Sequence, residues 1–204
     1  MKDFAKEVFR KILHMLAISF SIFWFYMYDD WRKSVFAVAM AGALLYPVLL
    51  LCAKVPRLSS AVNARRSGEF ATSFSALMAM FIIVASICWG RLGERMLGIA
   101  AIIAWGPGDA AAALIGKRFG KHKIGRSKKK SLEGTISMFI VSFISLLIVL
   151  FIYGKYSTIA TVVVALIAAI VSAGIELNIE NGYDTFYCPI GTMVVLVIAE
   201  LILR

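Results

Sequence analysis

Apolar residues dominate the chain in seven long runs, which short polar or charged segments separate. A helix that crosses a bilayer needs about 20 mostly apolar residues, and these runs reach or nearly reach that length. They predict membrane-spanning helices at about 12–28, 34–53, 71–90, 96–115, 134–153, 157–175 and 187–203. The first run lacks a small-residue cleavage site, so it predicts a retained helix rather than a signal peptide. The pattern indicates an all-α polytopic membrane protein with one domain, residues 1–204.

Composition supports a lipid-embedded chain. Of the 204 residues, 61% are hydrophobic and 17% are charged, whereas a soluble domain is roughly 45–50% apolar and about 25% charged. The excess of apolar side chains cannot be buried in one soluble core, so lipid must solvate part of it. The cysteines at positions 52, 88 and 188 have no C-x-x-C spacing, which favours neither a disulfide framework nor a zinc site.

The basic residues predict the orientation of the helices. The formal charge is +10, but the basic residues lie between apolar runs, which argues against nucleic-acid binding. Most of the 22 Lys and Arg residues fall in three segments, 2–11, 54–66 and 117–130. Because cytoplasmic loops retain positive charge, the N-terminus is predicted to be cytoplasmic and the C-terminus outside. One loop on the same predicted side, residues 176–187, has three acids and no base.

A Gly-Pro-Gly-Asp sequence at 106–109 interrupts the fourth apolar run. Pro107 suits the first turn of a helix, so the run is predicted to break and a helix to begin within the membrane, with Asp109 just inside it. A carboxylate at membrane depth is costly and typical of function. One helical face carries the acid and a row of small residues: Asp109, Ala112, Ala113, Gly116 and Gly120. This face suits either close approach of a phosphate chain or small-residue helix packing.

Two basic segments flank predicted helices on the same side. The lysines of K-K-K-S-L-E-G at 128–134 could neutralise phosphates, or they could be a positive-inside flank with Ser131 as a helix N-cap. Arg10 and His14 share a helical face at i, i+4. They indicate either a phosphate contact or a basic flank with an interfacial histidine.

The acids of the 176–187 loop form a third candidate group. Glu176, Glu180 and Asp184 would lie on one side of a helix at i, i+4 and i+8, although Gly182 interrupts that helix. Stacked carboxylates repel unless a cation lies between them, and Mg²⁺ usually shares carboxylate ligands with substrate phosphates. The alternative is a solvated loop. Acids for a metal and bases for phosphate oxygens are the groups that phosphoryl transfer requires. The residues alone therefore predict a membrane enzyme that handles a lipid head group, a nucleotide and Mg²⁺.

Four motifs occur in order along the chain: R-K-x-x-H at 10–14, G-D-x-x-A-x-x-x-G-x-x-x-G at 108–120, K-S-L-E-G-T at 130–135, and E at 176 followed by D-T-x-x-x-P at 184–189. With these motifs the chain resembles the dolichol/phytol/diacylglycerol kinase family of membrane enzymes over about residues 10–190. Thr185 departs from the family's usual asparagine, and a hydroxyl cannot present an amide pair. The resemblance implies a kinase for a lipid alcohol such as a polyprenol, a phytol-like isoprenoid or diacylglycerol, with CTP or ATP as donor and Mg²⁺.

The resemblance also implies roles for residues. It makes Arg10, Lys11, Asp109 and Gly116 necessary for activity, and it puts Lys130, Glu133 and Gly134 in the nucleotide site. Together with the spacing arguments, the predicted catalytic residues are Arg10, Lys11, Asp109, Lys130 and Glu133. The predicted nucleotide-binding residues are His14, Gly108, Gly116, Lys117, Gly120, Lys130, Ser131 and Gly134. The predicted metal ligands are Asp109, Glu176 and Asp184. Asp109 or Glu133 would accept the proton of the alcohol.

Two other functions fit part of the pattern. A CTP:phosphatidate cytidylyltransferase also joins CTP, Mg²⁺ and a lipid, but the chain has no D-R-x-D-like pair near its C-terminus. A small transporter or flippase would explain a broken fourth helix, but the chain has no internal repeat. The compact chain favours a bacterial or archaeal cytoplasmic membrane over the endoplasmic reticulum of a eukaryote, with the active site on the cytoplasmic face. Nothing in the sequence indicates the oligomeric state.

Overall fold

The computed structural model describes residues 2–54, 69–125, 130–179 and 183–203. Its helices are α1 (Lys2–Met27), α2 (Trp31–Lys54), α3 (Glu69–Val84, continued by a π-helix, Ala85–Arg91), α4 (Arg95–Phe119), α5 (Leu132–Tyr153), α6 (Thr158–Asn178) and α7 (Asp184–Leu203). A short antiparallel ribbon, β1 (Lys123–Ile124) and β2 (Lys130–Ser131), joins α4 to α5. All seven helical segments are long and apolar enough to cross a membrane. The predicted all-helical membrane architecture is confirmed, with the small ribbon as an addition.

The fourth helix is continuous, so the predicted break at residues 106–109 is wrong. Pro107 lies inside α4, which runs without interruption from Arg95 to Phe119. Proline removes one backbone hydrogen bond, but neighbouring helices can compensate in a membrane protein. Pro107 leaves the carbonyl of Ile103 without its helical donor, and at the next residue the hydroxyl of Ser142 on α5 donates to the carbonyl oxygen of Ala104 at 2.6 Å, which ties α5 to this turn. The proposed helix start at Asp109, and the broken helix that motivated the transporter alternative, are both absent.

Helix α4 is the centre of the bundle. Of its apolar stretch 61% is buried, against 6% for that of α2. It contacts α1, α5, α6 and α7 and the π-helical end of α3. Its small residues permit these contacts: a Cβ added to Gly106 would lie 2.3 Å from the side chain of Ile18, and one added to Gly108 would lie 2.4 Å from the hydroxyl oxygen of Ser142. The small residues near Pro107 therefore bring α1 and α5 against α4.

The predicted helix ends shift in two places that matter for the site. Helix α1 begins at Lys2, about ten residues before the first apolar run, and so includes the basic N-terminal segment. Helix α6 ends at Asn178 and α7 begins at Asp184. Glu176 and Asp184 consequently lie on two different helices, and the predicted single helical face for the three acids is wrong. Glu180 and the lysines at 128 and 129 lie outside the described residues.

The outer surface of the bundle is apolar. Every fourth residue along α5 from Ile136 to Ile148 is an isoleucine about half exposed. A soluble protein would not leave such a stripe uncovered, and lipid contact explains it. The inner side is closed by large buried side chains, among them Phe25, Phe81 and Trp105.

Candidate active site

A buried ion pair joins the first and fourth helices. The Nζ atom of Lys11 lies 2.5 Å from Oδ2 of Asp109, and the two residues are 3% and 6% exposed. Their separation of 98 positions in sequence means that the pair forms only when α1 packs against α4. Removing one partner of a buried pair leaves an uncompensated charge and destabilises a protein by about 3–5 kcal/mol. The pair therefore fixes α1 on α4 and fixes Asp109 at the end of the bundle.

A histidine and a tryptophan extend this pair toward the membrane centre. Nε2 of His14 lies 3.3 Å from Oδ2 of Asp109. The ring of His14 meets the indole of Trp105 edge to face, with centroids 4.5 Å apart. Within the described part of the chain, neither Nε2 of His14 nor Nε1 of Trp105 has a hydrogen-bond partner. Such atoms are rare in folded proteins.

Glu7 organises the basic side chains around the first pair. It is 6% exposed, accepts a hydrogen bond from Nε of Arg10 at 3.2 Å and lies 3.6 Å from Nζ of Lys117. The two predicted basic residues thus meet at one carboxylate. Sequence reasoning missed Glu7 because a lone acid in a basic segment resembles a solvated flank. Its position three residues before Arg10 was the available signal.

A second lysine–carboxylate pair, which is partly buried, joins the ribbon to the sixth helix. Nζ of Lys130 on β2 lies 2.5 Å from Oε1 of Glu176 and also donates to the backbone carbonyl of the same residue. Glu176 is 7% exposed. The predicted phosphate-binding lysine and the predicted metal ligand are therefore in contact with each other.

The three predicted metal ligands share one end of the bundle. Asp184 and Glu176 each lie close enough to Asp109 to interact with it electrostatically. Asp184 Oδ1 accepts a hydrogen bond from the backbone N–H of Thr185 at 3.0 Å. Among the described residues, no three Asp, Glu, His or Cys side chains converge closely enough to hold a metal ion. The donor chemistry suits Mg²⁺, which takes one or two carboxylates and completes its shell with phosphate oxygens and water.

Glu133 has a different surrounding. Its carboxylate accepts hydrogen bonds from the backbone N–H groups of Lys121 and His122 at 3.2 Å and contacts Nδ1 of His122 at 2.8 Å. These bonds order the turn between α4 and the ribbon. The structure brings the other predicted catalytic residues together around Glu7, Asp109 and Glu176. The hydrogen bonds of Glu133 go instead to Lys121 and His122.

The predicted nucleotide-binding glycines lie where α4 meets the start of α5. A Cβ on Gly134 would lie 2.9 Å from the carbonyl oxygen of Ala112 and 3.3 Å from Cα of Gly116. A Cβ on Gly120 would lie 2.6 Å from Oγ of Ser131. Ser131 caps α5 by accepting a hydrogen bond from the N–H of Gly134 at 3.2 Å. These contacts support the packing interpretation, and nucleotide contact by these residues stays a prediction.

The sequence model of the cytidylyltransferase family matches residues 1–174. The chain is 31% identical to the phytol kinase of Synechocystis sp. over 191 residues, which cover 93% of this chain and 78% of that protein. The chain belongs to the cytidylyltransferase family. It is also 24% identical to a chloroplastic farnesol kinase of Arabidopsis thaliana over 144 residues, 70% of this chain and 47% of that relative. No solved structure gives a significant match.

The family assignment confirms two predictions. The phytol kinase relative lies in the kinase family that the four motifs indicate, and both named relatives are kinases, so the chain is an enzyme of the phosphotransferase class. The seven apolar helices make it an integral membrane protein.

Proposed function

We propose that this protein phosphorylates the hydroxyl group of an isoprenoid alcohol with CTP, at the end of the bundle where the Lys11–Asp109 and Lys130–Glu176 pairs lie. The observation that carries the proposal is that these two lysine–carboxylate pairs, from α1, α4, β2 and α6, lie near enough to each other for Glu176 to interact electrostatically with Asp109. Phytol and farnesol, named for the two relatives, are both isoprenoid alcohols. The donor is inferred from the family resemblance.

The lysines are suited to exchange carboxylate partners for phosphate partners. Lys11 and Lys130 are each bound to one carboxylate, and Arg10 and Lys117 stand beside them at Glu7. A nucleotide triphosphate brings several negative oxygens, which compete with the carboxylates for the lysines. Phosphoryl transfer depends mostly on positioning and on neutralising charge of this kind. The ion pairs thus hold the lysines in place for the nucleotide.

Mg²⁺ would be held by one or two of the carboxylates of Asp109, Glu176 and Asp184, together with phosphate oxygens of the nucleotide and water. It would supply neutralisation of phosphate charge. Asp184 is the best placed of the three for this role, because among the described residues its carboxylate forms no ion pair with a lysine or arginine.

The transfer itself forms one bond and breaks one bond. The hydroxyl oxygen of the alcohol bonds to the γ-phosphorus, and the bond between the γ-phosphorus and the β–γ bridging oxygen breaks, which releases CDP. The hydroxyl proton passes to Asp109. Glu133, the other predicted acceptor, is engaged with the turn at His122, and this favours Asp109.

We assign this end of the bundle to the cytoplasmic side. The assignment is supported by the predicted positive-inside orientation, since Lys11, Lys117 and Lys130 all lie at this end. A cytoplasmic position gives the site access to nucleotides, while the alcohol enters from the bilayer.

The test is a product analysis with purified protein in lipid nanodiscs. γ-Labelled CTP and ATP would be supplied in parallel with phytol, farnesol, a polyprenol and diacylglycerol. Transfer of γ-label to an alcohol with release of CDP supports the proposal. Release of pyrophosphate, with α-label appearing in a lipid, would instead identify the cytidylyltransferase reaction that the family's name suggests.

A further inference from the structure

Three buried polar groups lie one helical turn below the ionic end of the bundle. His14 follows Lys11 by three residues on α1, Trp105 precedes Asp109 by four on α4, and Ser172 precedes Glu176 by four on α6. Because α1 runs opposite to α4 and α6, each group lies about 5 Å deeper in the membrane than its charged neighbour. Within the described residues, Nε2 of His14, Nε1 of Trp105 and Oγ of Ser172 have no hydrogen-bond partner.

Of the three groups, the indole N–H of Trp105 is the one whose lack of an acceptor most requires an explanation. Its side chain has no exposure, and a buried donor without an acceptor destabilises a protein by about 1–3 kcal/mol. Water relieves this loss in a soluble protein, but the bilayer interior offers none. A phenylalanine would keep an aromatic ring against His14 without that penalty. A tryptophan here makes physical sense if a ligand oxygen completes the hydrogen bond.

The geometry points to Trp105 as the residue that positions the hydroxyl of the lipid alcohol, and this inference rests on the proposed function. We infer that the alcohol oxygen accepts a hydrogen bond from Nε1–H of Trp105, with its own hydrogen directed at the His14–Asp109 pair. The oxygen then lies below the lysines that hold the phosphates, on the side from which a lipid arrives. During transfer the oxygen bonds to the γ-phosphorus as CDP leaves, and its proton passes to Asp109, the acceptor in the proposed function.

The principal test is the variant Trp105→Phe, which removes the N–H and keeps an aromatic ring. We expect kcat/KM for the alcohol to fall by about tenfold, the effect of one lost hydrogen bond, with KM for CTP changed by less than about twofold. The matched control is Trp24→Phe. Trp24 donates to the backbone oxygen of Ser34 at 3.3 Å, outside the site, so this variant should leave both constants within about twofold.

A second measurement does not need kinase activity. The melting temperature of the protein in detergent would be recorded without nucleotide, with geranylgeraniol and with the matching hydrocarbon that lacks the hydroxyl group. A ligand that binds the folded state raises the melting temperature. We expect a larger rise with the alcohol for wild type and Trp24→Phe, and equal rises for Trp105→Phe.

The outcomes separate this inference from the proposed function. If wild type phosphorylates no alcohol, the proposed function fails, and the melting-temperature comparison still decides whether Trp105 binds a hydroxyl. An equal response of wild type to alcohol and hydrocarbon overturns the inference even if Trp105→Phe does not fold. So does a Trp105→Phe variant that keeps both its kinetics and the alcohol-specific rise, because its N–H would then serve only the ring of His14.

Discussion

The two ends of the bundle both bury carboxylates, but they satisfy them differently. At the candidate active site, Asp109 and Glu176 each face a lysine. At the opposite end, Oε2 of Glu200 accepts hydrogen bonds from the hydroxyls of Tyr153 at 3.0 Å and Tyr156 at 2.8 Å. Glu200 is as buried as any of them, at 2% exposure.

The two ends differ in how many cations and how many polar groups without a hydrogen bond surround the carboxylates. Burial and the bond to Glu200 raise the pKa of Tyr156 well above its usual value, so this tyrosine remains a neutral donor. Lys155 pairs with Glu94 at the same end. The far end is a closed network of neutral donors and one ion pair, suited to hold helices together. The active end has several cations, and among the described residues Nε2 of His14 and Nε1 of Trp105 form no hydrogen bond there. A buried carboxylate alone is therefore a poor sign of function, and the unpartnered groups and cations beside it distinguish the two ends.

Neutralising one acid at each end gives the largest expected difference between the two ends. We expect Asp109→Asn to reduce kinase activity by at least about a thousandfold, since it removes the proton acceptor and the partner of Lys11. The protein should still insert into the membrane. Label transfer from γ-labelled CTP and membrane fractionation measure the two properties. Glu200→Gln is the control: it should lower thermal stability and keep activity within about threefold. Near-normal turnover of Asp109→Asn would contradict the assignment of the active end.

The lysines offer a second matched pair. Lys130→Met should reduce kcat/KM for CTP by about a hundredfold, because Lys130 is proposed to neutralise phosphate charge. Lys155→Met removes a more exposed lysine–carboxylate pair at the far end and should leave kcat/KM within about twofold. Initial-rate kinetics over a range of CTP concentrations test both variants. Equal losses in the two variants would mean that the lysine pairs serve folding alone.

Two helical glycines test the close contact between α4 and α5. Gly134→Ala places a methyl group 2.9 Å from the carbonyl oxygen of Ala112, and overpacking of this kind costs about 1–3 kcal/mol. We expect a lower melting temperature and a loss of activity, since Ser131 and Lys130 adjoin this contact. Gly174→Ala meets nothing within 4 Å and should leave the melting temperature unchanged or raised. A Gly134→Ala protein as stable as wild type would refute the packing interpretation.

The smallest effect belongs to the closed network. Tyr156→Phe removes one hydrogen bond to Glu200, and Tyr153 retains the other, so the loss of stability should be about 1 kcal/mol. Kinase activity should be unchanged. Thermal melting in detergent, run beside the activity assay, measures both. A large loss of activity would show that the far end contributes to catalysis.

The sequence predicted the helices well because the thickness of the bilayer imposes a minimum apolar length. It also singled out Asp109, since an acid within an apolar run has few structural explanations. It could not indicate that Asp109 meets Lys11, because the pairing depends on how α1 packs on α4. Lys130 and Glu176 were each predicted for the site, but their mutual contact arises only when the ribbon folds back toward α6.

The wrong prediction at residues 106–109 has a physical cause. Glycine and proline signals describe the preferences of an isolated chain, and they do not include hydrogen bonds from neighbours. Ser142 supplies one beside Pro107, and Gly106 and Gly108 let α1 and α5 come close enough to support the helix. Trp105 was missed because an apolar run hides an indole N–H among packing residues.

The contact between Lys11 and Asp109 also bears on how the protein is made. The ribosome delivers Lys11 nearly a hundred residues before its partner, and an unpaired lysine favours the boundary between lipid and water. We therefore expect the first helix to reach its full depth only after the fourth has entered the bilayer. The last step of assembly would then be the packing of α1 against α4. In a truncated chain that stops before Asp109, the first helix would stay at a shallower depth.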